Sequence, residues 1–415
     1  MALWVVKTLG DIIFAHTTVS MIMIIALLVS LIIFPFQMTK VVAAEENENE
    51  LNAASIVAAS ATTNSTQVST SSTTNNRSAI PEAAKGPTIS PEKGYLVQEI
   101  RGGLYWVTDG SYNTMFMVTD QGVVAVDAPP AIGANYLKAI AEVTDKPIKY
   151  VIYSHSHLDH IGAAASIFPE NATYIAQQKV AEELRRAHKE LQTSAAVVVG
   201  NNNSQFSPMQ LPAFNVSRLP PIPTVTFDQN YTLQIGNQTL QLNYYGNNHE
   251  EGNIFIYAPA QRTLMLVDII FPGWVPFPNL ALAEDVFGYI KAHDIALNNY
   301  DFDTFVGGHL TRLGTREDVQ IQREFIRDLI NASNRANQNV TFSEVMQKVG
   351  GPTNNLWAIF KTYLDTVAQK CTDEMLPKWQ DRLGGAQEFM FSHCWTMTES
   401  LRIDPSTKTL QQQQQ

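Results

Sequence analysis

Short apolar segments separated by turn residues begin near Gly94 and continue to about Leu313. The segments YLVQEI, GLYWVTD, TMFMVTD and GVVAVDAPP are rich in β-branched and aromatic residues, a composition that favours strands joined as hairpins. A helix is predicted over 132–143, and the apolar segment 150–154 predicts a further strand. The pattern therefore predicts a mixed α/β fold for residues 94–313.

Beyond Thr315 the apolar positions recur at helical spacing. Thr315 and Asp318, three residues apart, predict a helix cap. Further helices are predicted over 342–349, 356–367 and 374–382. The result is a helical C-terminal extension over 314–403, followed by a disordered tail over 404–415. The extension could cover the core, close a pocket or form a dimer surface, and the sequence does not decide among these roles. It does not predict the oligomeric state either.

The N-terminal part of the chain contains a long apolar segment with few charges. Residues 20–36 are almost wholly apolar, and their length lies between that of a signal-peptide core and that of a membrane span. We therefore predict export to an extracellular, cell-surface or periplasm-like space, with residues 1–44 as a signal peptide or membrane anchor and no other membrane contact. Residues 45–93 predict a disordered linker rich in Ser, Thr and Asn. Its Asn-x-Ser/Thr sequences, like those further along the chain, leave glycosylation open.

The formal net charge is −11, from 39 acidic and 28 basic residues. Proteins that bind the phosphates of nucleic acid usually carry the opposite charge, so we predict no nucleic-acid partner. The two cysteines, Cys371 and Cys394, are too few for a thiolate metal cluster. In an exported protein they favour a disulfide, and a metal site with the adjacent His393 is the weaker alternative.

The strongest chemical signal is the sequence HSHLDH at 155–160, directly after the predicted strand. Three imidazoles and one carboxylate within six residues offer the nitrogen and oxygen donors that zinc prefers. His155 and His157 project to the same side of an extended segment, whereas Asp159 and His160 come from the next turn. This spacing favours two adjacent metal positions over one.

Two metal ions need more ligands, and the sequence offers three further donors at predicted junctions between strand and loop. His249 lies in GNNHEEGN, Asp268 follows TLMLV, and His309 follows DTFVGG. By contrast, His188 falls on a predicted solvated helix, and His293 shares a helical apolar pattern that indicates a core position.

The HxHxDH segment, followed by separate His, Asp and His elements, resembles the metallo-β-lactamase superfamily of zinc hydrolases. The resemblance covers about Gly94 to Leu313 and implies a four-layer αβ/βα sandwich with two zinc ions per chain. It assigns His155, His157 and His249 to the first ion and Asp159, His160 and His309 to the second. Asp268 matches a carboxylate that bridges both ions in some members, although in some true β-lactamases this Asp is not a ligand.

The predicted ligand set implies hydrolysis, because a hydroxide held between two zinc ions exists at neutral pH and attacks a polarised carbonyl. Asp159 is the predicted catalytic residue, which binds the second ion and orients the hydroxide or relays a proton. We predict a small-molecule carbonyl substrate, either a lactone of the acyl-homoserine-lactone type or a β-lactam. The alternatives are an alkylsulfatase or thioester hydrolase of the same fold and, from another class, a non-catalytic metal-binding surface protein.

The predicted substrate pocket is apolar. The insert 193–223 is too rich in Pro and Asn for a regular element, which makes it a candidate pocket wall. The candidate wall residues are Tyr112, Phe206, Phe214, Phe271 and Trp274. Ordinary packing is the competing interpretation of each of these aromatic side chains.

Overall fold

The computed structural model describes residues 79–200, 218–349 and 355–407. All of them belong to one compact unit, 74–415. The predicted leader, most of the predicted linker, and Phe206 and Phe214 lie outside the described residues. No helix within the described ranges is both long enough and apolar enough to cross a bilayer.

Seven strands form the first sheet in chain order. They are β1 (Leu96–Arg101), β2 (Leu104–Thr108), β3 (Asn113–Val118), β4 (Val123–Val126), β5 (Ile148–Ile152), β6 (Thr173–Gln177) and β7 (Val225–Phe227). Neighbouring strands from β1 to β4 pair antiparallel, and neighbouring strands from β4 to β7 pair parallel. Gly102 and Gly103 form the first hairpin turn with φ of 54° and 83°, values that glycine adopts without strain.

Six strands form the second sheet, in the order β13-β12-β11-β10-β9-β8. They are β8 (Asn230–Ile235), β9 (Gln238–Asn243), β10 (Phe255–Ala258), β11 (Thr263–Leu266), β12 (Thr304–Val306) and β13 (Gly314–Thr315). The inner faces of the two sheets share one apolar core, which includes Trp106, Met115, Met265 and Val306. Burial of these side chains fixes the register of each strand, since a slip of one residue would turn them to the opposite face.

Helices cover the outer faces of both sheets. Those of the first half are α1 (Asn135–Val143), α2 (Leu158–Ile161), α3 (Ala164–Ile167) and α4 (Gln178–Gly200). Those of the second half are α5 (Val286–Asn299), α6 (Arg316–Asn339), α7 (Phe342–Lys348), α8 (Leu356–Trp379) and α9 (Ala386–Ile403). Tyr136 of α1 and Val180 of α4 join a core on the first sheet, and Phe325 of α6 and Met390 of α9 join a core on the second. The predicted four-layer sandwich with a helical extension is confirmed.

The C-terminal helices differ in detail from those predicted. The cap at Thr315 and Asp318 is present as a reciprocal capping box that begins α6. The helices predicted over 356–367 and 374–382 form the single helix α8, which ends at Trp379, and α9 was predicted only as part of the helical extension, without bounds of its own. Cys371 of α8 and Cys394 of α9 form the predicted disulfide, so the alternative metal site with His393 is wrong.

Residues 79–93, assigned from sequence to the disordered linker, contact the folded part of the chain. Ala84 is fully buried, and its carbonyl oxygen accepts hydrogen bonds from Trp274 Nε1 (3.1 Å) and Thr311 Oγ1 (2.6 Å). At the other end, Thr407 of the predicted tail is buried beside Ser400. The structure therefore places both segments with the folded domain.

Candidate metal centre

The donor side chains follow strands that end at one edge of the sandwich. His155 comes three residues after β5, Asp268 two residues after β11 and His309 three residues after β12, while His249 follows β9. His157 is the N-cap residue of α2, which brings the rest of the HSHLDH segment round onto the same edge. The fold thus gathers at one place donors that are far apart in sequence.

A first set of donors consists of His155, His157, His249 and Asp268. His157 Nδ1 and His249 Nε2 face each other at 3.0 Å, and His249 Nε2 lies 3.3 Å from Asp268 Oδ2. His155 Nε2 lies 3.7 Å from the same carboxylate oxygen. All four donor atoms lie within 4.8 Å of one another.

A second set of donors consists of Asp159, His160, His309 and again Asp268. His160 Nε2 and His309 Nε2 are 3.0 Å apart. Asp268 approaches both imidazoles at 3.2 Å, with Oδ2 towards His160 and Oδ1 towards His309. Asp159 Oδ2 lies 3.5 Å from His160 Nε2 and 3.7 Å from His309 Nε2. The structure therefore brings together all seven predicted donors, and Asp268 belongs to both sets.

The donor atoms fit a metal ion. Ligands held tetrahedrally at zinc distances are separated by about 3.3 Å, close to the 3.0–3.7 Å that separate the donor pairs given above. His155 Nδ1 contacts Ser154 Oγ at 2.9 Å, whereas the buried His155 Nε2 has no hydrogen-bond partner among the described residues and faces the cluster. Buried polar atoms normally have partners, so this nitrogen indicates a ligand.

Burial and charges within the cluster favour the protonation state that a metal needs at His155 and at Asp268, but not at His160. Burial, together with the neighbouring imidazoles, lowers the pKa of His155 well below its usual range. Burial opposes the charge of Asp268, but His160 and His309 outweigh it and hold the pKa of this carboxyl well below its ordinary value. Burial likewise opposes a charge on His160, yet Asp268 raises its pKa to about 9. A metal ion at the second set therefore competes with a proton on His160.

Two of the predicted pocket residues border the centre. The Tyr112 ring packs on His309 with the centroids 4.5 Å apart, and its hydroxyl lies 3.4 Å from Asp159 Oδ2. Phe271 is buried, and its ring is stacked on His309 at 6.0 Å. Trp274 instead packs against Gly384 and hydrogen-bonds to Ala84, so its contacts support the fold.

Three residues that support the centre were not singled out for that role from sequence. Asp127, fully buried after β4, accepts a hydrogen bond from the Ser154 N–H at 2.7 Å, and burial raises the pKa of its carboxyl to about 6. Glu250 is nine-tenths buried and accepts hydrogen bonds from the N–H and hydroxyl of Ser156. A Cβ on Gly308 would lie 2.9 Å from both Asp268 Oδ1 and His160 Cε1. The only sequence signals were a polar residue or a glycine at a strand end.

The other described histidines lie outside the two donor sets. His293 is buried in α5 with its Nδ1 3.0 Å from the Tyr289 carbonyl oxygen, in agreement with the predicted core position. His188 is half-buried on α4 and contacts the Pro220 carbonyl. His393 is fully buried in α9.

The chain is similar to several known proteins. The family model of the metallo-beta-lactamase superfamily matches residues 107–309. The alpha subunit of a 2,4-dinitroanisole O-demethylase from Nocardioides sp. is 28% identical over 248 residues, which cover 58% of this chain and 66% of that protein. Among solved structures, a metallo-beta-lactamase from Pontibacter korlensis (18% identity, TM-score 0.41) aligns over 55% of this chain and 97% of its own. A stereoselective inverting sec-alkylsulfatase from Pseudomonas sp. (19% identity, TM-score 0.46) aligns over 68% and 50%. Residues 107–309 therefore match the metallo-beta-lactamase superfamily, and the two sheets with their covering helices agree with the fold of that family.

Proposed function

We propose that this protein is a dinuclear zinc hydrolase that opens a neutral carbonyl substrate, most simply a lactone of the acyl-homoserine-lactone type. The observation that carries the proposal is the sharing of Asp268 by two complete donor sets. A carboxylate between two sets suits a bridging ligand, and bridged pairs of metal ions are common in hydrolases. A non-catalytic metal-binding protein would need only one of the sets.

Zinc, when bound, supplies a Lewis acid for the carbonyl and lowers the pKa of a coordinated water. The protein itself supplies groups that orient the reactants. Asp159 is only partly buried, with a quarter of its side chain exposed, so it can accept a proton or orient a water at the mouth of the site. The Tyr112 hydroxyl beside it is a hydrogen-bond donor for an oxygen that gains charge.

The charge of the adjoining cavity favours a neutral substrate over an anionic one. This cavity, of about 640 Å³, runs from His157 and Leu158 towards α4. Its lining contains five glutamates, one lysine and one arginine. Lys179 lies 3.3 Å from Glu182, and Arg186 pairs with Glu183, so both positive charges are already neutralised by a glutamate. The surplus of carboxylates repels sulfate esters and the carboxylate of a β-lactam, and therefore favours lactones among the predicted substrates.

The demethylase relative supports a second candidate function. An electron-poor aryl methyl ether is also uncharged, so the acidic cavity would admit it as readily as a lactone. We therefore include 2,4-dinitroanisole among the substrates to be tested.

We also propose that the protein is exported. The apolar residues 20–36 are the basis of this proposal. The disulfide between Cys371 and Cys394 supports it, because disulfides persist mainly in oxidising compartments.

The function is tested by assaying the zinc-loaded full chain on five substrates: an acyl-homoserine lactone, a thioester, a β-lactam, an alkyl sulfate and 2,4-dinitroanisole. We expect the lactone to give the highest kcat/KM and the sulfate the lowest. His157→Ala should abolish turnover, and His188→Ala, which changes a histidine far from the donor sets, is the matched control. Turnover that survives in His157→Ala, or none on any substrate, would refute the proposal.

A further inference from the structure

A left-handed turn lies next to the metal centre. The short helical turn Pro278–Leu282 contains four consecutive non-glycine residues with positive φ. These are Asn279 (57°), Leu280 (56°), Ala281 (55°) and Leu282 (55°). A left-handed conformation is strained for an L-amino acid, so contacts elsewhere must hold four such residues in succession.

Those contacts come from helix α9 of the C-terminal extension. The Leu280 N–H donates a hydrogen bond to His393 Nδ1 at 3.2 Å, and the Asn279 N–H donates to Ser392 Oγ at 3.2 Å. Leu280 and Ala281 are both buried. The turn is therefore fixed by two neighbouring side chains of a helix more than a hundred residues away in sequence.

On its other side the turn holds the segment that carries His249. The His249 imidazole lies against the backbone of Ala281. Just after the turn, the Glu284 N–H donates to the His249 carbonyl at 3.0 Å, and the Asp285 N–H donates to the Asn248 carbonyl at 3.0 Å. His249 Nε2 meanwhile points at His157. The turn and the residues just after it thus contact the ring and the backbone of this metal-ligand candidate.

We propose that His393 is a positioning residue for the metal centre: by accepting the Leu280 N–H it holds the left-handed turn, which orients His249 for metal binding. This inference rests on the proposed metal centre and gives the C-terminal extension a role in it. His393 does not touch the donors itself. Groups that orient a metal ligand from behind commonly change metal affinity by about 10–100-fold.

The protonation state of His393 suits this role. Burial lowers the pKa of its imidazole to about 3, so the ring is neutral at physiological pH. With Nδ1 accepting a hydrogen bond, Nε2 carries the proton. A protonated ring would present a donor to the Leu280 N–H and would lose this contact.

The test is the zinc affinity of the full chain, measured by competition with a chelator, which requires no turnover. His393→Leu keeps an apolar volume but removes the acceptor, and we expect about tenfold weaker zinc binding. His393→Asn keeps an acceptor near the position of Nδ1 and should restore most of the affinity. His293→Leu is the matched control, because His293 is an equally buried histidine on α5 whose ring nitrogen contacts Tyr289 of its own helix. It should leave zinc affinity unchanged.

Two further variants separate positioning from folding. Asn279→Gly, at an exposed position where glycine takes positive φ without strain, should partly rescue zinc binding in His393→Leu. If His393→Leu does not fold, Ser392→Ala removes only the acceptor of the Asn279 N–H and should still weaken zinc binding severalfold. Unchanged affinity in the folded variants that lack an acceptor would overturn the inference alone. Absence of zinc binding in the wild type would overturn the inference and the proposed function together.

Discussion

Single side chains of the candidate centre are either potential metal ligands or residues that hold such a ligand in place. His155 belongs to the first kind, with Nδ1 on Ser154 and Nε2 towards the cluster. The HSHLDH donors could be predicted because their spacing is local and the residue types are specific for metal binding. The supporting contacts could not, since Asp127 lies 27 residues from Ser154 and Glu250 lies 94 residues from Ser156. Such pairs are brought together by the fold, and no local sequence pattern predicts them.

Tyr112 provides a prediction at the residue scale. Tyr112→Phe removes the hydroxyl 3.4 Å from Asp159 but keeps the ring on His309. We expect kcat/KM for a lactone to fall about tenfold, because a donor beside the reacting groups is lost, while zinc content stays the same. Tyr105→Phe is the control, since the Tyr105 ring stacks on Phe116 in another part of the sheet. If Tyr112→Phe keeps the wild-type kcat/KM, the hydroxyl has no role.

Among the elements, strands and helices were not equally predictable. Strand segments such as β3 and β4 combine β-branched and aromatic residues with clear turns, and they were therefore predicted well from the sequence. Helix α9 contains three aromatic residues, four Ser or Thr residues and a cysteine, types with modest helix propensity. It forms because Met390, Cys394 and Met397 are buried in the core on the second sheet. Tertiary packing, which the sequence pattern does not contain, decides that element.

A cluster of ion pairs between α6 and the end of α8 gives a prediction about pH. Hydrogen bonds from Arg382 and Lys378 lower the pKa of Glu324 from 4.5 to about 2. A carboxyl whose pKa is lower in the folded than in the unfolded state stabilises the protein at pH values above the unfolded-state pKa. This stabilisation is lost as the pH falls towards the folded-state pKa of about 2. Because 43% of the Glu324 side chain is exposed, solvent screening reduces the contribution of these ion pairs to the free energy of unfolding to about 1 kcal/mol.

Glu324→Gln should therefore lower the free energy of unfolding by about 1 kcal/mol at pH 7 and hardly at all near pH 2. Urea denaturation at both pH values measures the difference. Glu92→Gln makes the same change of charge in an exposed turn and should have little effect at either pH. A penalty for Glu324→Gln that is independent of pH would mean that packing, and not charge, explains it.

The whole molecule extends beyond the catalytic sandwich at both ends. The C-terminal helices share a core with the second sheet, and residues 79–93 close against Trp274, Thr311 and Arg312. The sequence predicted the sandwich and the extension but assigned 79–93 to the linker. The segment is short and contains three prolines, and its order comes from hydrogen bonds to the backbone carbonyls of Ala83 and Ala84, whose partners the composition does not reveal.

Truncation tests this attachment. A chain that begins at Gly94 should melt several degrees below one that begins at Ala79, because the Trp274, Thr311 and Arg312 donors lose their acceptors. Circular dichroism during heating gives both melting temperatures. Equal values would mean that 79–93 adds nothing to the stability of the domain.

The central claim, a pair of metal sites that share Asp268, is tested most directly by the zinc content of the purified, zinc-saturated protein. Elemental analysis should find about two zinc ions per chain in the wild type and in His188→Ala, and about one in His157→Ala and in His309→Ala, each of which loses a donor from one set. A wild-type protein without zinc, or two ions retained in both His157→Ala and His309→Ala, would contradict the account.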